Sequence, residues 1–432
     1  MGRTTDGTRI RRLLAPLAVL AMGGLMVAAT LGAPDRGQAV DAVEAVSHTT
    51  APSVPAEREL TQEEMVLRGR ELVLQRACGT CHGGMDDPSA EGWLAGVMSP
   101  AQEFPIGACA SEPGAEPCWI TRPRNLTPDN TTGLGRFSER QIFNAIRYGL
   151  RPGETADVEI TSHVPGEGNF PLSPKYLAPP MPWPAFRHMA DEDIWAIAAY
   201  LKHGVKPVNN RVQDSDGPPD FWESTYAESG HGPMPAEAFP QASEVMPAAG
   251  SVDMDQLLLG RQLVISIGCG DCHGGLTDPA AAGFLAGAHG PGLEFPVGPC
   301  LEDPEAPCFM QRPRNLTPDP ETGLGDRTAR QIFNALRYGL RPASTPDMEI
   351  TGGALPANPD FLGPDMPWIH FRHMSDQELW AVITYLRNGV KPVRNVVPDS
   401  DIPDDLWAEF YAGPITGDHP APPFPTANEV GG

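Results

Sequence analysis

Two five-residue strings, Cys78-Gly79-Thr80-Cys81-His82 and Cys269-Gly270-Asp271-Cys272-His273, constrain this chain more than any other feature. Two cysteines separated by two residues, with histidine next, form the attachment signature of c-type haem. The two thiols add to the two vinyl groups of one porphyrin, and the adjacent imidazole is held under the iron as its proximal ligand. Zinc would need a second Cys/His pair near each string, and the sequence does not clearly offer one. A redox dithiol would sit in a βαβ pattern, which is also missing. The expected cofactors are therefore two covalently attached haem c groups with their iron. Cys78, Cys81 and His82 serve the first, and Cys269, Cys272 and His273 serve the second.

The surroundings of the two strings repeat as well. Cys109 and Cys300 recur at the same offset as Cys78 and Cys269. The run from Arg122 to Asp129 returns from Arg312 to Asp319, and that from Gln141 to Ala145 returns from Gln331 to Ala335. Met181-Pro182-Trp183 returns as Met366-Pro367-Trp368, and Glu244-Val245 as Glu429-Val430. A duplicated domain is the simplest account. The expected layout is an export signal or membrane anchor at 1–33, a flexible tether at 34–59 and a first domain at 60–226. A Pro-rich linker at 227–251, a second domain at 252–411 and a Pro-rich tail at 412–432 complete it.

Capping residues mark the helices. Thr61 with Glu64 opens the first, which runs into Cys78. Its counterpart begins near Ser251 or Asp253. Ser138 with Gln141 and Thr328 with Gln331 open a second pair, ending near Gly149 and Gly339. A third pair begins around Ala190 and at Ser375 with Glu378. No run has sustained strand alternation, so the expected fold class is all-α. With 49 Pro and 46 Gly, long loops join these helices, and a haem would supply the core the peptide lacks. The formal charge of -24 argues against nucleic acid and suits a redox partner with a basic docking surface. Arg3, Arg9, Arg11 and Arg12 precede an apolar run from Leu13 to Ala33, so export to the periplasm or the outer face of the cytoplasmic membrane is expected. The run is just long enough to act as an anchor.

The order of haem string, Met-Pro loop and closing helix makes each unit resemble a class I cytochrome c domain. Leu94-Ala95-Gly96, Asn125 to Asp129, Thr132 to Gly135, Ser138 to Gly149, Met181-Pro182 and Asp191 to Leu201 resemble the cytochrome c subunits of bacterial periplasmic dehydrogenases. The second unit carries the same series from Leu285 to Leu386. The chain departs from three-haem dehydrogenase subunits in having two haem strings and an added cysteine pair per unit. The resemblance implies Met181 and Met366 as the sixth iron ligands; His188 and His373 are the alternatives. Arg124, Asn125, Arg314 and Asn315 are expected near the haem propionates, since an Arg fork suits a carboxylate. The exported setting pairs Cys109 with Cys118 and Cys300 with Cys308.

The functional expectation is an electron carrier rather than an enzyme, with both haems six-coordinate. The rivals are a di-haem peroxidase or thiosulfate dehydrogenase, and a relay subunit held in a membrane dehydrogenase, oxidase or photosynthetic complex. An enzyme needs one open or unusual iron site, and both units keep the same candidates.

Overall fold

The computed structural model describes residues 60–99, 102–110, 114–216, 226, 234, 236–290, 293–298, 300, 305–351, 354–400 and 419–431. The expected export segment and tether lie outside the described residues, as do Trp222 and Trp407. The structure is helix-rich, with two small antiparallel sheets.

The N-terminal half begins with α1 (Gln62–Gln75), where the Glu64 amide donates to Thr61 Oγ1 and the Thr61 amide donates back to Glu64 Oε2. One turn, α2 (Cys78–His82), follows. A hairpin of β1 (Phe104–Gly107) and β2 (Cys118–Thr121) pairs Phe104 with Thr121 and Gly107 with Cys118. Next come α3 (Glu139–Tyr148), α4 (Trp183–Phe186) and α5 (Asp191–Ala199), which continues as a π turn over Tyr200–Gly204. The C-terminal half has the same order. It runs through α6 (Met254–Ile267), α7 (Cys269–His273), β3 (Phe295–Val297), β4 (Phe309–Gln311), α8 (Ala329–Tyr338), α9 (Trp368–Phe371) and α10 (Asp376–Asn388).

In each half the first long helix crosses the last at a glycine. A Cβ on Gly69 would lie 1.9 Å from the Ala196 carbonyl oxygen, and one on Gly260 the same distance from that of Ala381. Any side chain there would push α1 off α5, or α6 off α10. Around these crossings, Leu72, Val73, Ile194 and Ala198 are buried in one half, and Leu263, Val264, Leu379 and Val382 in the other. The second helix of each half stops at a left-handed glycine, Gly149 (φ 68°) or Gly339 (φ 69°). A Cβ there would meet the ring of Trp183 or Trp368 at 2.2 Å. This seats the indole two residues after Met181 or Met366 against the helix end.

The fold is helical, as the sequence implies, with two small hairpins added to it. Their strands are three or four residues long, too short for alternation to register. Disulfides Cys109–Cys118 and Cys300–Cys308 close them, with Cα separations of 5.4 and 5.0 Å.

The described parts of the segments expected as linker and tail each dock on the half that they do not follow. Glu429, 1% exposed, accepts from Arg70 Nε and from the Tyr200 hydroxyl, both at 2.6 Å. The Lys206 amide donates to the Asn428 carbonyl, and the Val430 amide to that of Gly204. Glu244, also 1% exposed, repeats the arrangement on the C-terminal half with Arg261 Nε (2.6 Å) and the Tyr385 hydroxyl (2.5 Å). There the Val245 amide donates to the Gly389 carbonyl, and the Lys391 amide to that of Ser243. The two straps are thus exchanged, and the chain closes into a ring.

Removing one partner of a buried ion pair strands the other charge. Glu429→Ala is therefore expected to lower stability by about 3–5 kcal/mol in denaturant unfolding, and Glu244→Ala by a similar amount. Asp399→Ala, which removes the exposed partner of Arg314, is expected to change it by at most about 1 kcal/mol.

Candidate functional site

His82 and His273 end the single-turn helices α2 and α7. In each the Nδ1 atom lies 2.7 Å from a backbone carbonyl oxygen, that of Arg124 or of Arg314. A carbonyl can only accept, so Nδ1 carries the proton and Nε2 keeps its lone pair. A metal-binding imidazole is oriented in this way by its second nitrogen. Burial pushes both imidazoles down to about 4, so both are neutral near pH 7.

None of the four cysteines in the two strings is in a disulfide. Burial pushes the Cys78 thiol up to about 12, Cys81 to about 11 and Cys269 to about 12; Cys272 rises for the same reason. Cys78 and Cys269 pack against the core clusters, a placement that suits thioether attachment to an apolar macrocycle. Among the described residues, no cluster of three or more His, Cys, Asp or Glu is placed to hold a metal ion.

Each methionine packs against the same core cluster as the first cysteine of its half. Cys78 and Met181 pack against one core cluster together with Leu126 and Trp195. Cys269 and Met366 pack against the other with Leu316 and Trp380. Met189 and Met374 are buried in these clusters, as are Ile194 and Leu379 of the helices that follow. The alternative ligands His188 and His373 face the contact between the halves. His373 Nε2 is 3.5 Å from Asp86, and His188 lines a cavity of about 370 Å³ with Leu258, Arg261 and Gln262.

The Arg and Asn residues have their side chains engaged within the chain. Arg124 Nη1 pairs with Asp214 at 2.8 Å, and Arg314 Nη1 with Asp399 at 3.0 Å, both at the surface. The Asn125 amide donates to Thr132 Oγ1 and to the Val208 carbonyl, while its oxygen accepts from Thr127. Asn315 repeats this with Thr322, Val393 and Thr317. These side chains pin the loop whose carbonyl holds the histidine. The working atom at positions 124 and 314 is thus a main-chain oxygen, for which no side chain gives a signal.

Both attachment strings lie close to the contact between the halves. Thr80 Oγ1 is 3.0 Å from His370 Nε2. Arg76 Nη2 donates to Ser266 Oγ at 3.2 Å. Arg68 bridges Asp193 in its own half and Glu378 in the other, at 3.0 and 2.9 Å. Asp86, fully buried, pairs with Arg372 at 2.6 Å.

The class that this arrangement fits is the cytochromes c, and the comparisons agree. The chain is similar to the gluconate 2-dehydrogenase cytochrome c subunit of Pantoea cypripedii, 27% identical over 367 residues, or 80% of this chain and 65% of that protein. It is 26% identical to the alcohol dehydrogenase (quinone) cytochrome c subunit of Gluconacetobacter polyoxogenes over 75% of this chain and 56% of the relative. It is 25% identical to the fructose dehydrogenase cytochrome subunit of Gluconobacter japonicus over 87% and 60%. The chain therefore spans less than two thirds of the length of these relatives. No family model matches the chain. Among the described residues, no helix is long and apolar enough to cross a membrane.

The contact between the halves is expected to be acid-sensitive. His370 is 3% exposed and burial pushes it down to about 4, with Arg372, His373 and Asp86 nearby. The unfolded chain takes up this proton near pH 6.5, so the contribution is complete above that pH and is lost as pH falls toward 4. The thermal midpoint is expected to drop over that window, and to drop less in His370→Gln.

Proposed function

We propose that this protein is an exported di-haem cytochrome c that serves a dehydrogenase as its electron-transfer subunit. On this reading it is built from two tandem cytochrome c domains related by duplication. Cys78 and Cys81 hold the first haem, and Cys269 and Cys272 the second. His82 and Met181 would hold the iron in one domain, His273 and Met366 in the other. The observation that carries the reading is the pair of 2.7 Å contacts from histidine Nδ1 to a backbone carbonyl, which leave Nε2 as each ring's only free donor atom.

When bound, haem iron supplies one-electron chemistry by changing between ferric and ferrous states. The chain's own contribution is to fix the ligands and exclude water. Neutral His82 and His273 present Nε2, and the loops bearing Met181 and Met366 are braced by Trp183 and Trp368 on the helix ends. His/Met ligation favours a high potential and leaves no open position for a substrate. This equivalence of the two sites favours a relay over a peroxidase or thiosulfate dehydrogenase. A dehydrogenase partner is inferred from the names of the relatives. The formal charge of -24 suits a partner that docks through a basic face.

The test is an absorption spectrum of the haem-loaded protein and of two variants. The oxidised protein is expected to show the charge-transfer band of methionine on ferric iron. Met181→Ala and Met366→Ala are each expected to remove about half of it, and the double variant all of it. A band unchanged in both single variants would reject these ligands, and turnover of peroxide or thiosulfate would reject the relay.

A further inference from the structure

Arg76 is a buried cation that the fold does not require. It caps the C-terminus of α1, two residues before Cys78, and is 5% exposed. Across the contact between the halves its Nη2 donates to Ser266, three residues before Cys269. Among the described residues its Nε and Nη1 atoms have no hydrogen-bond partner. Burying a charge with one neutral acceptor is costly. The equivalent position in the second half, Ile267, is apolar and is the last residue of α6. The helix end therefore forms without the charge.

The position of this charge is what it offers. The guanidinium starts two residues before Cys78 and is tied through Ser266 to the turn that leads into Cys269. The acidic groups in range, Asp193 and Glu378, are both bridged by Arg68, which offsets one of their two charges. A positive charge held away from water favours the form of a nearby redox centre that carries the extra electron.

We propose that Arg76 is a shared electrostatic tuning residue that raises the reduction potential of both haems. The inference rests on the di-haem reading above. It assigns Arg76 a positioning and charge role, not contact with a substrate. Because the side chain reaches from one attachment string toward the other, its effect falls on both centres.

The test is a spectroelectrochemical redox titration of the full haem-loaded chain beside Arg76→Met and Arg76→Lys. Arg76→Met is expected to lower both midpoint potentials, each by on the order of a tenfold change in the reduction equilibrium, about 59 mV for one electron. Arg76→Lys, which keeps the charge, is expected to retain most of the wild-type values. Should Arg76→Met fail to take up haem, Arg76→Gln drops the charge while keeping a donor for Ser266, and the same fall is expected. Unchanged potentials in the neutral variants, an upward shift, or a shift in one haem alone would overturn the proposal. So would a fall in Arg76→Lys as large as in Arg76→Met, since that would make the effect one of packing. A wild-type chain that takes up no haem would defeat the functional reading itself. A two-haem chain indifferent to Arg76 would defeat only this inference.

Discussion

The close crossing of α1 on α5, and of α6 on α10, is the constraint from which the rest of each half follows. Gly69 and Gly260 let one backbone approach the carbonyl oxygen of the other helix. With the first helix pinned there, its C-terminal end delivers the Cys-x-x-Cys-His turn to a fixed place. With the last helix pinned, the loop before it brings Met181 or Met366 to the same cluster. The Asn125 and Asn315 networks then hold a main-chain carbonyl against each histidine. The placement of each histidine and methionine is thus set by backbone and packing, with few side chains dedicated to it.

The exchanged straps give the two halves a common fate. Each buried glutamate satisfies an arginine and a tyrosine in the half it does not follow. Neither half would keep its buried Arg–Glu–Tyr cluster if separated. Yet the contact between the halves is not symmetric. Arg68, Gln75 and Arg76 face it from α1 and its cap, and the matching positions of the second half are Leu259, Ser266 and Ile267. Equivalent folds thus meet through unequal chemistry, which lets two similar sites have different surroundings.

Much of this was legible in the sequence because the responsible signals are local. The capping boxes at Thr61, Ser138, Thr328 and Ser375 place helix starts within a residue, since the cap is made within four positions. The cysteine pairs at 109/118 and 300/308 were legible from their repetition. The hairpins they close were not, because strands of three or four residues carry no usable period. The strap exchange was not legible either. Glu244 and Glu429 register only as matching positions of the repeat, and their long-range partners explain their burial. At Arg124 and Arg314 the sequence draws attention to the guanidinium, whereas the group facing the histidine is the carbonyl.

The central claim is that two imidazoles and two cysteine pairs have been placed to hold two haems. The most direct measurement is the intact mass of the exported, matured chain under denaturing conditions, which retain only covalent additions. The account predicts a polypeptide heavier by two haems, reduced to one in Cys78→Ala/Cys81→Ala and to one in Cys269→Ala/Cys272→Ala. A mature chain carrying a single haem or none, with the cysteines of either string recovered as free thiols, would contradict it.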